Sequence, residues 1–412
     1  MTGRWLAPPP VVLPADRLPA RPPRHRVKVL HVITRLEAGA GGNTLVSALG
    51  MDPERYEVWI AAGGQGPLWE RADREGIRTV RIPEFRRAVS PALDAVVLRR
   101  LVKLIRAERF AIVHVHEAKA GFLGRLGAAM CGTPVVVATL HGRDPWWRTP
   151  AGTETALRDL MPRGLWLYSA LERMARPLTH GFVAVAPTVA RDAVQARIAA
   201  PGRTHVAPSA VDLDDIPYDR DPSVRIELQI PAEDRVVGMV GRLDRQKAPL
   251  DFIRMAAHVA ELRPGTRFVV TGDGELAGQM RQLAHSLGVE VLFTGFRRDP
   301  ARIASAFDVF VVSSLYEGVG RSVTEAMASG RPVVTTAVDG LVDVVTHGAT
   351  GLLAVPKDPE GLADRVVWLL DHPDEAALMG KQARDMVRTL FAPERMCRVL
   401  DEVYSSLLGV AR

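Results

Sequence analysis

Residues 307–336, FDVFVVSSLYEGVGRSVTEAMASGRPVVTT, set out a strand, a glycine-punctuated turn, a short helix and a second strand with almost nothing left over. Val309–Val312 is an apolar run of the kind buried on both faces of a sheet, and Pro332–Thr336 reads as another. Tyr316–Arg321 supplies the turn; the helix is expected to open at Ser322 or Thr324 and to close at Gly330. Strands joined through a helix lie parallel, and a parallel sheet needs helices on both faces. This unit therefore commits the chain to an α/β fold.

The same alternation runs through the rest of the sequence. Val27–Ile33 reads as a strand, the segment GAGGN at 39–43 as a loop and Thr44–Leu49 as the start of a helix. Further strands are expected at Glu57–Ala61, Thr79–Ile82, Ile112–Val115, Val135–Leu140 and Phe182–Val185, then at Val236–Val240, Arg267–Gly272 and Val291–Phe293. Helical patterns at Leu250–Leu262 and Leu276–Leu287 separate the later ones. A chain of 412 residues is long enough for two full cores. The expected architecture is two Rossmann-like, doubly wound parallel-sheet domains facing each other across a cleft. Residues 1–25, rich in proline and arginine without any period, read as a disordered tail; 26–210 form the first domain, 211–231 a linker broken by proline and aspartate, and 232–392 the second domain.

The turn at 316–321 also states a chemistry. Gly318 and Gly320 let backbone approach a ligand closely, and the helix start favours an anion by up to ~2 kcal/mol. Glu317 and Glu325, with seven residues between them, would repel a phosphate unless they face neutral donors such as sugar hydroxyls. Backbone amides for phosphate and carboxylates for hydroxyls describe a cradle for a nucleotide sugar. Gly241–Lys247, GRLDRQK, follows a strand and carries Arg242 and Lys247. Breaking the bond between an anomeric carbon and a diphosphate builds charge on the leaving oxygen, and each fixed cation there lowers the barrier by ~2–4 kcal/mol, roughly 30- to 1000-fold in rate.

The stretch YEGVGRSVTEAMASGRPVV strongly resembles the signature of the retaining glycosyltransferases of family 4, which have the GT-B fold. The resemblance runs from about residue 27 to the C-terminus and is strongest between 236 and 363. It implies that Glu317 holds the donor sugar's hydroxyls, that Glu325 holds the ribose, and that Gly318, Val319, Gly320, Ser322 and Val323 line the donor. It implies that Arg242 and Lys247 grip the diphosphate, with Ala248 standing where glycine is common. Gly41 and Gly42 resemble the pair that faces the donor phosphates, although Asn-Thr follows them where a glutamate is often found. His141, in TLHGR, resembles the active-site histidine near donor sugar and acceptor. The backbone at Phe296 and Arg297 is expected to meet the base. The last helix, within 393–412, is expected to cross back onto the first domain.

The resemblance implies front-face attack with no protein nucleophile; a UDP-sugar is expected in preference to a GDP-sugar, and the expected acceptor is a hydroxyl in polysaccharide, glycolipid or glycoconjugate synthesis, lipid-linked acceptors included. Asp212-Leu213-Asp214 matches the Asp-x-Asp metal motif by letter but lies in the linker, so neither metal nor cofactor is expected. A hydride-transfer enzyme is disfavoured: G-x-G-x-x-G would need glycine at Thr44, and Ala61 and Ala62 stand where the ribose-binding acid belongs. Two competitors keep the fold, a sugar-nucleotide epimerase and a non-catalytic nucleotide-sugar-binding protein. Two cysteines, Cys131 and Cys397, make no disulfide framework or metal site. With no membrane-spanning run and no secretory leader, a cytoplasmic location is expected. A net charge of +6 suits anionic ligands or an anionic membrane surface, and no nucleic-acid partner is expected. Arg99, Lys103 and Arg106 share one helix face, opposite Leu98, Leu101, Val102 and Ile105, which offers a peripheral membrane contact. Trp146, Trp147 and Arg148 offer a second place for sugar or lipid contact.

Overall fold

The structure is a computed structural model that describes residues 26–37, 39–86, 88–142, 166–213, 216–217 and 221–410. The tail at 1–25 and the segment holding Trp146, Trp147 and Arg148 lie outside the described residues.

Thirteen strands among the described residues form two sheets, parallel throughout. The first contains β1 (Val27–Arg35), β2 (Tyr56–Gly63), β3 (Arg78–Arg81), β4 (Ile112–His116), β5 (Val135–Leu140), β6 (Gly181–Ala184) and β7 (Thr204–Val206), in the order β3-β2-β1-β4-β5-β6-β7. The second contains β8 (Val236–Val240), β9 (Arg267–Thr271), β10 (Val291–Gly295), β11 (Val309–Val312), β12 (Val333–Thr336) and β13 (Leu352–Ala354), in the order β10-β9-β8-β11-β12-β13. Each sheet reverses its winding once, between β1 and β4 in the first and between β8 and β11 in the second. Open α/β sheets bind ligands at the carboxyl ends of strands flanking such a reversal.

The strands are where apolar runs predict them because both faces are covered. All the residues of β4, β5, β6, β11 and β12 are buried. Helix Pro249–Leu262 shows the matching rule for helices: proline opens it, and Phe252, Ile253, Ala256 and Val259 recur at helical spacing on the face it buries against the second sheet. In helix Pro91–Glu108, Val97, Leu101, Val102 and Ile105 are buried while Arg99, Lys103 and Arg106 are exposed, as the amphipathic pattern requires.

Three local readings change. The segment at 39–43 is not all loop: a helix spans Ala40–Leu49, so Gly41 and Gly42 sit buried in its first turn. The helix after Glu317 spans Arg321–Ala328 and starts on Gly320, whose left-handed backbone (φ 69°) makes the turn; neither Ser322 nor Thr324 caps it, and Glu325 is its fifth residue. The stretch expected as a linker, 211–231, contains a helix, Pro222–Glu227, capped by Asp221.

Helix Pro393–Val410 leaves the second sheet and packs on the first. Met396, Leu400, Val403 and Tyr404 join the core formed by Val29, Ile33, Leu45 and Ile60. Asp401 accepts hydrogen bonds from Arg55 (2.7 Å) and the Tyr56 hydroxyl (2.6 Å). Cys397 is buried there and its thiol is pushed up to about 12 by desolvation, so it is inert.

Candidate active site

The loops after β8 and β11 meet at the reversal of the second sheet. Gly241 donates to Thr271 O (3.0 Å), and the loop after β9 nests against it so closely that a Cβ on Gly272 would lie 1.9 Å from Gly241 O. This packing turns GRLDRQK toward the cleft. Arg242, about half exposed, pairs with Asp244 (2.6 Å) and donates to Gln246 Oε1 (2.8 Å). Lys247 is largely buried, with its ammonium on the Glu317 carboxylate. Gln246 donates to the other Glu317 oxygen (2.9 Å) and to Tyr316 O (3.1 Å), and the Glu317 amide donates to Asp339 (3.0 Å). Both loops are thus stitched through Glu317 itself.

Ala248, next in line, has φ 44° and ψ 51°. That left-handed conformation costs a residue with a Cβ roughly 1–2 kcal/mol, which explains why glycine suits the position and why this chain's alanine is a departure with a physical cost.

Of the residues expected to line the donor, Val319 and Val323 turn their side chains into the core (4% and 0% exposed), and the Val323 amide donates back to Gly320 O (2.8 Å). Their contribution is to the shape of the turn. Glu325 accepts from Arg321 Nε (2.7 Å), so each glutamate has a cation beside it, and Glu317 also accepts from the neutral Gln246 amide. Phe296 is 71% exposed beyond Gly295 (φ 70°), while the Arg297 side chain is committed to Glu227 (2.7 Å) and Asp299 (2.9 Å).

The first sheet supplies the opposite wall. Helix Ala40–Leu49 points its start into the cleft, and a Cβ on Gly42 would lie 1.6 Å from Arg321 Nη1. His141 follows β5; a Cβ on Gly318 would lie 1.9 Å from His141 O, and one on Gly142 would lie 3.1 Å from Gly318 Cα. The two walls touch through glycines, and Asp343 accepts the Thr188 amide across the same junction (2.7 Å). The structure therefore gathers Gly41, Gly42, His141, Arg242, Lys247, Glu317, Gly318, Gly320, Ser322 and Glu325 at one cleft. Asp212 is held by Arg71 of the first sheet's helices, and Asp214 lies outside the described residues.

Residues that the sequence reading passed over also converge here: Gln246, Asp339, Arg321 and a group of imidazoles. His31, His114 and His116 are buried with ring nitrogens within 4.8 Å of one another, the group of three among the described residues close enough to share an ion. The signal was present in the His-Val-His alternation of β4, which puts His114 and His116 on one face beside His31 of the neighbouring strand.

Two family descriptions match the chain: Glycosyltransferase Family 4 over residues 43–215, and Glycosyl transferases group 1 over residues 221–386. The 2-deoxystreptamine N-acetyl-D-glucosaminyltransferase of Streptomyces fradiae is 31% identical over 321 residues, covering 73% of this chain and 74% of that protein. The chain belongs to glycosyltransferase family 4. A second relative of this glycosyltransferase is the UDP-Gal:alpha-D-GlcNAc-diphosphoundecaprenol alpha-1,3-galactosyltransferase of Escherichia coli, 29% identical over 370 residues, with 88% of this chain and 92% of that protein covered. Among solved structures, Anabaena Alr3699/HepE in complex with UDP and glucose superposes with a TM-score of 0.76 at 20% identity, over 92% of this chain and 100% of that one. The family 4 enzyme thus has the GT-B fold. Among its described residues no helix is long and apolar enough to cross a membrane.

Proposed function

We propose that this glycosyltransferase moves a hexosyl group from a UDP-sugar to a hydroxyl of a glycan or lipid-linked acceptor, with retention of anomeric configuration and without a metal ion. The observation that carries the reading is the junction itself: Arg242, Lys247, Glu317 and the start of helix Arg321–Ala328 lie at the reversal of one parallel sheet and face Gly42 and His141 of the other. The E. coli relative is a UDP-galactose enzyme and the Anabaena structure is a complex with UDP and glucose, and both support the choice of UDP.

In this reading the bond between the anomeric carbon and the diphosphate oxygen breaks while the acceptor oxygen bonds to the same face of that carbon. The acceptor proton passes to the departing phosphate oxygen, so no protein base is consumed. Arg242, half exposed and held by Asp244, is drawn to the diphosphate; Lys247 stabilises the charge that grows on it. Glu317 orients the sugar and Glu325 the ribose, the amides of Arg321 and Ser322 face phosphate, and the backbone beyond Gly295 meets the base. His141 offers an N–H near the sugar. Contact with anionic lipid through Arg99, Lys103 and Arg106 suits a polyprenyl-linked acceptor.

Incubation with a panel of UDP- and GDP-sugars, with mass spectrometry of the products and NMR of the new anomeric centre, tests the proposal. A glycoside of the donor's own anomeric configuration, formed in EDTA as well as without it, is expected. An isomerised donor with no glycoside, an inverted linkage, or activity lost in EDTA and restored by Mn would refute the corresponding element.

A further inference from the structure

The buried imidazoles form a connected line that ends at the site. His31 Nδ1 lies 2.9 Å from His116 Nε2, and His116 Nδ1 lies 2.9 Å from His141 Nε2. His114 stands beside this line with both nitrogens occupied elsewhere, Nδ1 against the Tyr404 hydroxyl (2.5 Å) and Nε2 against Thr139 Oγ1 (2.6 Å). His31 Nε2, at the far end, is buried and has no hydrogen-bond partner among the described residues.

A neutral imidazole carries one N–H and one lone pair, so each contact in a line of them needs one of each. Fixing the proton on the first ring therefore fixes it on every ring that follows. A proton on His31 Nε2 would be a buried donor without an acceptor, the arrangement folded proteins avoid most consistently; a bare lone pair there is less costly. His31 must then carry its proton on Nδ1 and donate to His116 Nε2. His116 in turn donates from Nδ1 to His141 Nε2, and the proton of His141 is left on Nδ1.

We propose that His31 and His116 are positioning residues that hold His141 as the Nδ1–H tautomer, with its ring fixed and Nδ1–H as the one proton it can offer a donor. This deepens the proposed function and rests on its placement of His141 beside the sugar. Burial supports the neutral state the argument needs: desolvation brings His31 down to about 3 and His141 to about 4, and holds His114 and His116 well below the ordinary histidine value. A metal ion shared by His31, His114 and His116 is the competing use of the same rings, and it would require breaking contacts that occupy both nitrogens of two of them.

The full chain labelled with 15N-histidine decides the matter by two-dimensional NMR at neutral pH, because protonated and bare ring nitrogens resonate far apart. His31, His116 and His141 are expected as Nδ1–H tautomers. His141 as Nε2–H, or one equivalent of zinc bound by the purified protein with loss of the free-imidazole signals, overturns the proposal. In activity assays His116→Ala is expected to lower kcat about 10- to 100-fold with donor KM little changed, and His116→Asn, which keeps an amide near Nδ1, to recover most of it. Equal kcat for wild type, His116→Ala and His116→Asn also overturns it. The tautomer needs no turnover, so a chain that shows Nδ1–H on His141 yet transfers no sugar refutes the proposed function and leaves the relay standing.

Discussion

Gly318→Ala is the sharpest test of how the cleft is built. Its backbone is not in the left-handed region, so the added methyl brings no conformational penalty of its own, and its effect is steric. The new Cβ would lie 1.9 Å from His141 O and 2.9 Å from His141 C, both backbone atoms on the opposite wall. Carbon and oxygen do not pack closer than about 3 Å, so the walls must part by roughly 1 Å, and a misplacement of that size costs reacting groups about 100-fold. Gly142→Ala is the control: its Cβ meets Gly318 Cα at 3.1 Å, which a shift of a few tenths of an ångström relieves. We expect kcat/KM to fall about 100-fold in Gly318→Ala and less than about 10-fold in Gly142→Ala, with melting temperatures close to wild type because neither methyl enters a hydrophobic core. Steady-state kinetics on a single donor and acceptor reads this out. Gly318→Ala at wild-type rates, or the reverse ranking of the two variants, would refute the inference that the contact sets the working geometry.

Lys247→Ala removes the buried cation beside Glu317, and kcat/KM is expected to fall roughly 30- to 1000-fold. Adding Glu317→Gln should restore thermal stability without restoring turnover, and recovery of both would show that Lys247 serves structure alone. Ala248→Gly relieves the left-handed strain at φ 44° and is expected to raise stability to denaturant by about 1 kcal/mol; an unchanged midpoint would contradict the strain argument. Stability is expected to fall as pH drops below 6.5. Burial depresses His31 and His141 to about 3 and about 4 in the folded chain, so the unfolded chain takes up protons first; their contribution is complete above 6.5 and is lost toward the folded values, at up to about 1.4 kcal/mol per pH unit for each histidine. Melting temperatures that stay flat between pH 6.5 and 5 would contradict it.

The sheets were legible because their strands are covered on both sides: Val309–Val312 and Val135–Leu140 have no polar face to blur the run, and each prediction falls within a residue or two of the observed strand. Three-residue β7 at a sheet edge offers no such run, and helix Pro222–Glu227 is hidden among prolines and aspartates. Glu317, Lys247 and Arg242 were legible through their spacing around glycines. Arg321 was not, because its reach to Gly42 depends on how two walls separated by almost 300 residues meet, and no local pattern carries that information. The imidazole line was missed for the opposite reason: a strand such as Ile112–His116 reads as apolar filler, and the polar atoms in it acquire meaning only from strands and a helix elsewhere in the chain.

Helix Pro393–Val410 has a consequence for biosynthesis. The first sheet is translated long before the side chains that seal one of its faces, Leu400, Val403 and Tyr404 among them. Until that helix is made, His114 has no Tyr404 hydroxyl to meet and Arg55 and Tyr56 have no Asp401. The nascent chain must therefore shelter an uncovered apolar surface until this helix has been made, and a premature stop ahead of Met396 would strand the half of the molecule synthesised first.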